Sequence, residues 1–179
     1  MKILLSHIKE LIQVRNNAPK KVSGAAMKNL PTLKNAWLLL EDEQISDFGI
    51  MDEIPNFKVD QTIDCSGKIV LPTWCDSHTH IVYAGNREQE FVDRIKGRSY
   101  QEIADNGGGI INSAIKLQAS SEEDLLQQSE ERLIDVMRLG TGAVEIKSGY
   151  GLTLDAELKM LRVAKQLGEK YPIKVRTTF

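Results

Sequence analysis

Cysteine is scarce in this 179-residue chain, with only Cys65 and Cys75. Two thiols at irregular positions cannot build a disulfide framework or a four-cysteine zinc site. They read as reduced thiols, which is how cytosolic cysteines usually behave. Excess charge of one sign is also missing, since the formal net charge is −2. That leaves no basic field for nucleic acid and no polybasic membrane patch. Long apolar runs are absent too. Met1-Lys2-Ile3-Leu4-Leu5-Ser6-His7 is broken by polar residues before it could serve as a signal peptide or a spanning helix. No sequence block repeats. A soluble, cytoplasmic globular protein is the expectation, in keeping with 41% apolar and 27% charged residues.

Histidine is nearly as rare, yet two of the three lie one residue apart, at His78 and His80. They follow the apolar run Ile69-Val70-Leu71 within Leu71-Pro72-Thr73-Trp74-Cys75-Asp76-Ser77-His78-Thr79-His80. In an extended strand from Trp74 to His80, residues two apart share a face. Both imidazoles would then aim at one point, as ligands of a first-row metal ion do, although further ligands must come from elsewhere. Taken alone, such a pair is more often a feature of a solvated or hydrogen-bonded strand than a metal site. Asp76 falls on the same face and could accept an imidazole N–H, as carboxylates behind ligating histidines do. His7 reads as structural or solvated.

The rest of the chain divides into two grammars. Residues 1–14 read mostly as strand, 15–35 as a long polar loop, and Ala36–Leu40 with Ile45–Ile50 as a hairpin. Gln61–Cys65 and Lys68–Leu71 flank a turn at Ser66-Gly67. Together these predict a small β-domain over residues 1–66. From residue 67 onward, strands alternate with helices, which argues for parallel βα units. Strand-like Trp74–Val82 precedes a polar loop and a helix near Ser99–Ala104, broken by Asn106-Gly107-Gly108-Gly109. Ser120 with Glu123 predicts a capping box for a helix whose stripe is Leu125, Leu126, Leu133, Val136 and Met137, ending at Gly140. Ala143–Ile146 is a strand. A helix starting at Thr153 or Asp155 buries Leu158, Leu161, Ala164 and Leu167 and stops at Gly168. Ile173–Phe179 is a third strand.

Beyond the histidines, an apolar strand, a Pro and an Asp two residues before His-x-His resemble the first barrel strand of the amidohydrolase superfamily, although Thr73 stands where Gly is usual. Ala84-Gly85-Asn86-Arg87-Glu88-Gln89-Glu90-Phe91, Gly97-Arg98-Ser99-Tyr100-Gln101-Glu102-Ile103, Gly107-Gly108-Gly109-Ile110 and Val144-Glu145-Ile146-Lys147-Ser148-Gly149-Tyr150-Gly151-Leu152 are similar to the imidazolonepropionase family. The resemblance runs in order from Leu4 to Phe179, and its last segment is highly specific.

The resemblance implies an α/β protein, an incomplete (β/α)8 amidohydrolase-type barrel over 67–179 behind a small β-sandwich-like domain, which is composite and takes its partner strands from a missing C-terminal part. It implies a metal-dependent hydrolase that opens the imidazolone ring in histidine degradation, converting 4-imidazolone-5-propanoate and water to N-formimino-L-glutamate. One zinc or iron ion would sit on His78 and His80. Arg87 and Tyr150 would bind the substrate, with Tyr100 a weaker candidate. Without the resemblance, Arg87 reads as a rim arginine paired with Glu88, Glu90 or Asp93, and Tyr150 as a packed loop aromatic. Lys147 reads as an ion-pair partner of Glu145, because the superfamily's metal-bridging lysine lies on a later strand. No residue is assigned as general acid or base.

A complete barrel needs about 250 residues, and only about 110 follow the β-domain. The chain is therefore expected to be an N-terminal portion, inactive alone, of an enzyme that is homo-oligomeric at full length. Another cyclic-amide hydrolase or deaminase, or a non-catalytic scaffold piece, are the competing readings.

Overall fold

The computed structural model describes residues 1–15 and 17–179; Asn16, within the expected loop, lies outside them. The chain separates into two units, Met1–Pro72 and Thr73–Phe179.

The first unit is organised around one long strand, β1 (Lys2–Ile12). Strand β2 (Thr32–Glu41) pairs with it antiparallel and turns through Asp42 and Glu43 into β3 (Gln44–Ile50). On the other edge, β4 (Gln61–Asp64) and β5 (Ile69–Val70) both run parallel to β1, one after the other. The turn at Ser66-Gly67 thus joins two pieces of one edge rather than a hairpin. The β1–β2 register slips between Leu5 and Ile8, where His7 has φ 53° and an exposed side chain. That bulge lets Ile8 and Leu11 face Ala36, Leu38 and Cys65 in the core.

Among the described residues the strands form one mixed five-stranded sheet. One boundary changes here. The unit runs to Pro72 rather than residue 66, because β5 ladders onto Glu10 and Leu11.

The second unit is a parallel sheet in the order β6 (Trp74–Thr79), β7 (Thr141–Lys147), β8 (Lys174–Thr178). Thr73, the departure from the usual glycine, meets its match in Gly142: a Cβ there would lie 2.2 Å from the Thr73 Oγ1. Between β6 and β7 lie four helices, α1 (Glu88–Ile95), α2 (Tyr100–Asp105), α3 (Gly109–Ala119) and α4 (Glu122–Arg138). Where the sequence reading placed a polar loop, α1 forms with Glu88 and Glu90 at its positive end. Ser99 and Glu102 make a full capping box on α2. The glycine run ends α2 as expected but also opens α3. Helix α4 is capped by Ser121, one residue later than expected, which accepts the Asp124 N–H.

Helix α5 (Leu154–Lys170) links β7 to β8, with Thr153 as its N-cap. It does not stop at Gly168, and its buried face is Ala156, Met160, Val163, Ala164 and Leu167. Leu158 is 39% exposed, so the expected stripe was rotated. The core gathers Leu125 and Leu133 of α4, Val144 and Ile146 of β7, and the α5 face. The parallel strands carry His80, Ser148 and Phe179 just past one common edge, where βα architectures place their chemistry.

Candidate metal and substrate site

The strand that presents the histidines ends one residue early. β6 stops at Thr79, and its pairing with β7 is irregular between Asp76 and Thr79. Strict alternation therefore does not set the histidine geometry; the bulge and the exit from the strand do. The two rings still lie side by side, with centroids 5.5 Å apart and planes at 59°. His78 is exposed and His80 half-buried. The His80 Nδ1 is buried and has no hydrogen-bond partner among the described residues. Leaving such a nitrogen unpaired costs roughly 1–3 kcal/mol, which a cation or a ligand donor would relieve.

Two adjacent imidazoles and an orphaned ring nitrogen fit a metal ion as part of its ligand set. Among the described residues no third His, Cys, Asp or Glu completes a group. Asp76 does not support an imidazole: its Oδ1 accepts the backbone N–H of His78 at 3.0 Å, fixing the turn of the main chain instead. Glu145 on β7 lies near enough for its charge to interact with His78. Its carboxylate is already taken by Lys147 and by the Thr178 hydroxyl, and those bonds, Lys147 first, hold it below the ordinary carboxylate range. Lys147 is thus the ion-pair partner expected of it.

Beside His80 opens a cavity of about 310 Å³, lined by His80, Tyr83, Arg87, Ile110, Ser113 and Tyr150 among others. Arg87 and Tyr150, distant in sequence, therefore meet at one hollow with one of the two histidines. The Tyr150 ring lies 4.8 Å from the His80 ring at 34°. Arg87 donates from Nε (2.9 Å) and Nη2 to a single oxygen of Glu90. That pairing lowers the Glu90 pKa and raises that of Arg87. Glu90 also accepts the Gly109 N–H at 2.9 Å, so one carboxylate ties the arginine to the start of α3. Tyr100 does not line the cavity; it is 65% exposed at the first turn of α2.

Two supporting groups escaped the sequence reading, while Glu90, three residues after Arg87, is one of the acids expected to pair with it. Arg132 of α4 gives no local signal. Its Nη1 donates to the carbonyls of Ile81 (3.0 Å) and Tyr83 (2.8 Å), and its guanidinium sits 3.5 Å over the Tyr83 ring. It therefore clamps the segment that follows the histidines. Glu157 of α5 is buried, and it accepts the N–H groups of Gly149 (2.5 Å), Gly151 (2.7 Å) and Leu152 (2.9 Å). These bonds outweigh burial, the largest single influence, and leave its pKa lowered.

Comparisons with known proteins bear on the chain as a whole. Over all 179 residues the chain is 65% identical to the imidazolonepropionase of Christiangramia forsetii, spanning 44% of that protein. It is 40% identical over 182 aligned residues to the imidazolonepropionase of Brevibacillus brevis, covering 99% of this chain and 43% of the relative. The chain thus spans less than half the length of these curated relatives. No protein-family model matches. Among solved structures, Escherichia coli guanine deaminase matches 99% of the chain and 35% of its own length, with TM-score 0.64 and 12% identity. A zinc-bound atrazine chlorohydrolase variant from Arthrobacter aurescens TC1 matches the same shares, with TM-score 0.58 and 16% identity. At such identities these structures speak to the fold alone.

Proposed function

Because the chain is homologous from end to end to an N-terminal portion of imidazolonepropionases, we propose that its site serves the hydrolytic opening of the imidazolone ring of 4-imidazolone-5-propanoate, giving N-formimino-L-glutamate. The observation that carries this reading is the convergence of His80, Arg87 and Tyr150 on one cavity of about 310 Å³. That is the lower end of the size range for small-molecule pockets, and it suits a five-membered ring with a short acidic arm.

His78 and His80 would hold one zinc or iron ion, with the remaining ligands supplied from outside the residues described. When bound, such an ion polarises a ring carbonyl and lowers the pKa of water to about 7. The protein's own groups bind and orient. The planar fork of Arg87 matches a carboxylate or an amide oxygen, and Glu90 holds that fork in place before substrate arrives. The Tyr150 hydroxyl offers one rotatable donor to the ring, while Ile110 and the Tyr83 ring keep that side of the cavity apolar. The general acid and base are not assigned to any residue of this chain.

The test is turnover by the intact enzyme, followed as loss of the imidazolone absorbance, in wild type and His80→Ala. Ring opening by the wild type that His80→Ala abolishes, together with its metal content, is the expected result. Wild-type-like turnover and metal content in His80→Ala would overturn the reading.

A further inference from the structure

The segment that carries Tyr150 is an awkward piece of backbone. Gly149 has φ 113°, and Leu152 has φ 55°, a left-handed conformation that a leucine rarely adopts. Gly151 lies so close to the start of α5 that a Cβ there would meet the Ala156 Cβ at 2.7 Å. Nothing in this short stretch can satisfy its own N–H groups through a regular ladder. Three of them, at 149, 151 and 152, converge instead on the two oxygens of one side chain, Glu157. A buried carboxylate in the first turns of a helix is more than a helix-dipole partner when both oxygens are spent on a neighbouring loop.

Resting on the functional reading above, we propose that Glu157 is a positioning residue for ring opening: by gathering the N–H groups of Gly149, Gly151 and Leu152 it holds Tyr150 against His80 at the cavity wall. Glu157 itself does not line the cavity. It acts through Tyr150, whose ring sits 4.8 Å from that of His80. The requirement is for two anionic acceptor oxygens. Gln has the same shape but carries one acceptor oxygen, and its amide N–H₂ would face the N–H groups that the second oxygen accepts.

Two measurements on the intact enzyme separate this inference from the functional reading. Hydrogen exchange reads the loop directly: in Glu157→Gln the amides of Gly149, Gly151 and Leu152 should lose protection while those of β7 keep theirs. Retained protection of the three amides would overturn the proposal, whether or not the enzyme turns over. Kinetics then reads the consequence. Glu157→Gln should raise KM for imidazolone propanoate by roughly tenfold to a hundredfold, the worth of a lost bond to a charged group. Added to Tyr150→Phe, it should cause little further loss, since both changes remove one contact. A full multiplicative loss in the double variant would show that Glu157 does not act through Tyr150. A wild type that fails to open the ring would sink the functional reading alone, leaving the exchange result to decide the place of Glu157.

Discussion

Arg87 and Glu90 show how an arginine at the cavity wall is held by its neighbour. The guanidinium is about half exposed, whereas the Glu90 carboxylate is only 12% exposed and is fixed at both ends, by Arg87 and by the Gly109 N–H. Removing the arginine should cost only about 1 kcal/mol of stability, because its own end is half exposed and Glu90 keeps the Gly109 N–H. It should cost far more in function. In Arg87→Ala, kcat/KM for imidazolone propanoate should fall roughly tenfold to a hundredfold, with Tm moving only a few degrees. A large fall in Tm with kcat/KM unchanged would make Arg87 a purely structural rim residue.

Glu90 gives a pH prediction. Its folded pKa is depressed, chiefly by Arg87. The stability it contributes is therefore fully present above its unfolded pKa of about 4.3 and is lost as pH falls through the lower folded value. Glu90→Gln should flatten the loss of stability between pH 5 and pH 3, measured by urea midpoints. An unchanged acid slope would mean that the pair does not form in solution. The sequence singled out His80, Arg87 and Tyr150 because their motifs are rare, and the three line one cavity. Glu90 was one of three acids offered to Arg87, whereas Glu157 gave no signal, since a glutamate in the first turns of a helix already has an ordinary explanation in the helix dipole.

At the scale of elements, α5 is the instructive case. Its existence and its Thr153 cap were readable, but the buried stripe was turned and Gly168 was taken as a stop. A periodicity reading weighs leucine heavily, and α5 buries small and medium residues instead: Ala156, Met160, Val163 and Ala164 beside Leu167. Leu158 and Leu161 line a groove with Val175 and Gly168. Gly168 is in the helix because β8 comes close: a Cβ at that position would lie 2.9 Å from the Val175 Cβ. Helix propensity alone favours Gly168→Ala by about 1 kcal/mol. Overpacking costs roughly 1–3 kcal/mol where neighbours cannot move aside. Backbone-attached atoms of a strand yield little, so packing should win and Gly168→Ala should destabilise by about 1 kcal/mol in urea unfolding. A stabilised variant would show that α5 and β8 are farther apart than described. Helix α2 was expected near Ser99–Ala104 and forms there, but its cap was passed over, although Ser99 and Glu102 have the spacing of a capping box.

For the whole molecule, strands alternating with helices announced a parallel sheet, and β6-β7-β8 is that sheet. The sandwich-like reading of the β-domain rested on resemblance alone, because a strand's partner on a second layer leaves no mark on its own alternation. The parallel arrangement brings the strand ends carrying the histidines and the Tyr150 segment to one edge, but it brings only two imidazoles together among the described residues. That count sets an expectation for residues 1–179 on their own. Four-ligand structural zinc sites are worth about 10–16 kcal/mol at neutral pH. Half the ligands, with no chelate completed, should give at most about half of that, a Kd between roughly 1 μM and 0.1 mM or weaker. Calorimetric titration of residues 1–179 with zinc checks it, with His78→Ala and His80→Ala as controls. Weak binding that either substitution abolishes is the expected outcome, and activity should accompany it only when further ligands are supplied. Nanomolar zinc binding by residues 1–179 would mean that other side chains join His78 and His80 in solution, and the two-histidine site described here would be wrong.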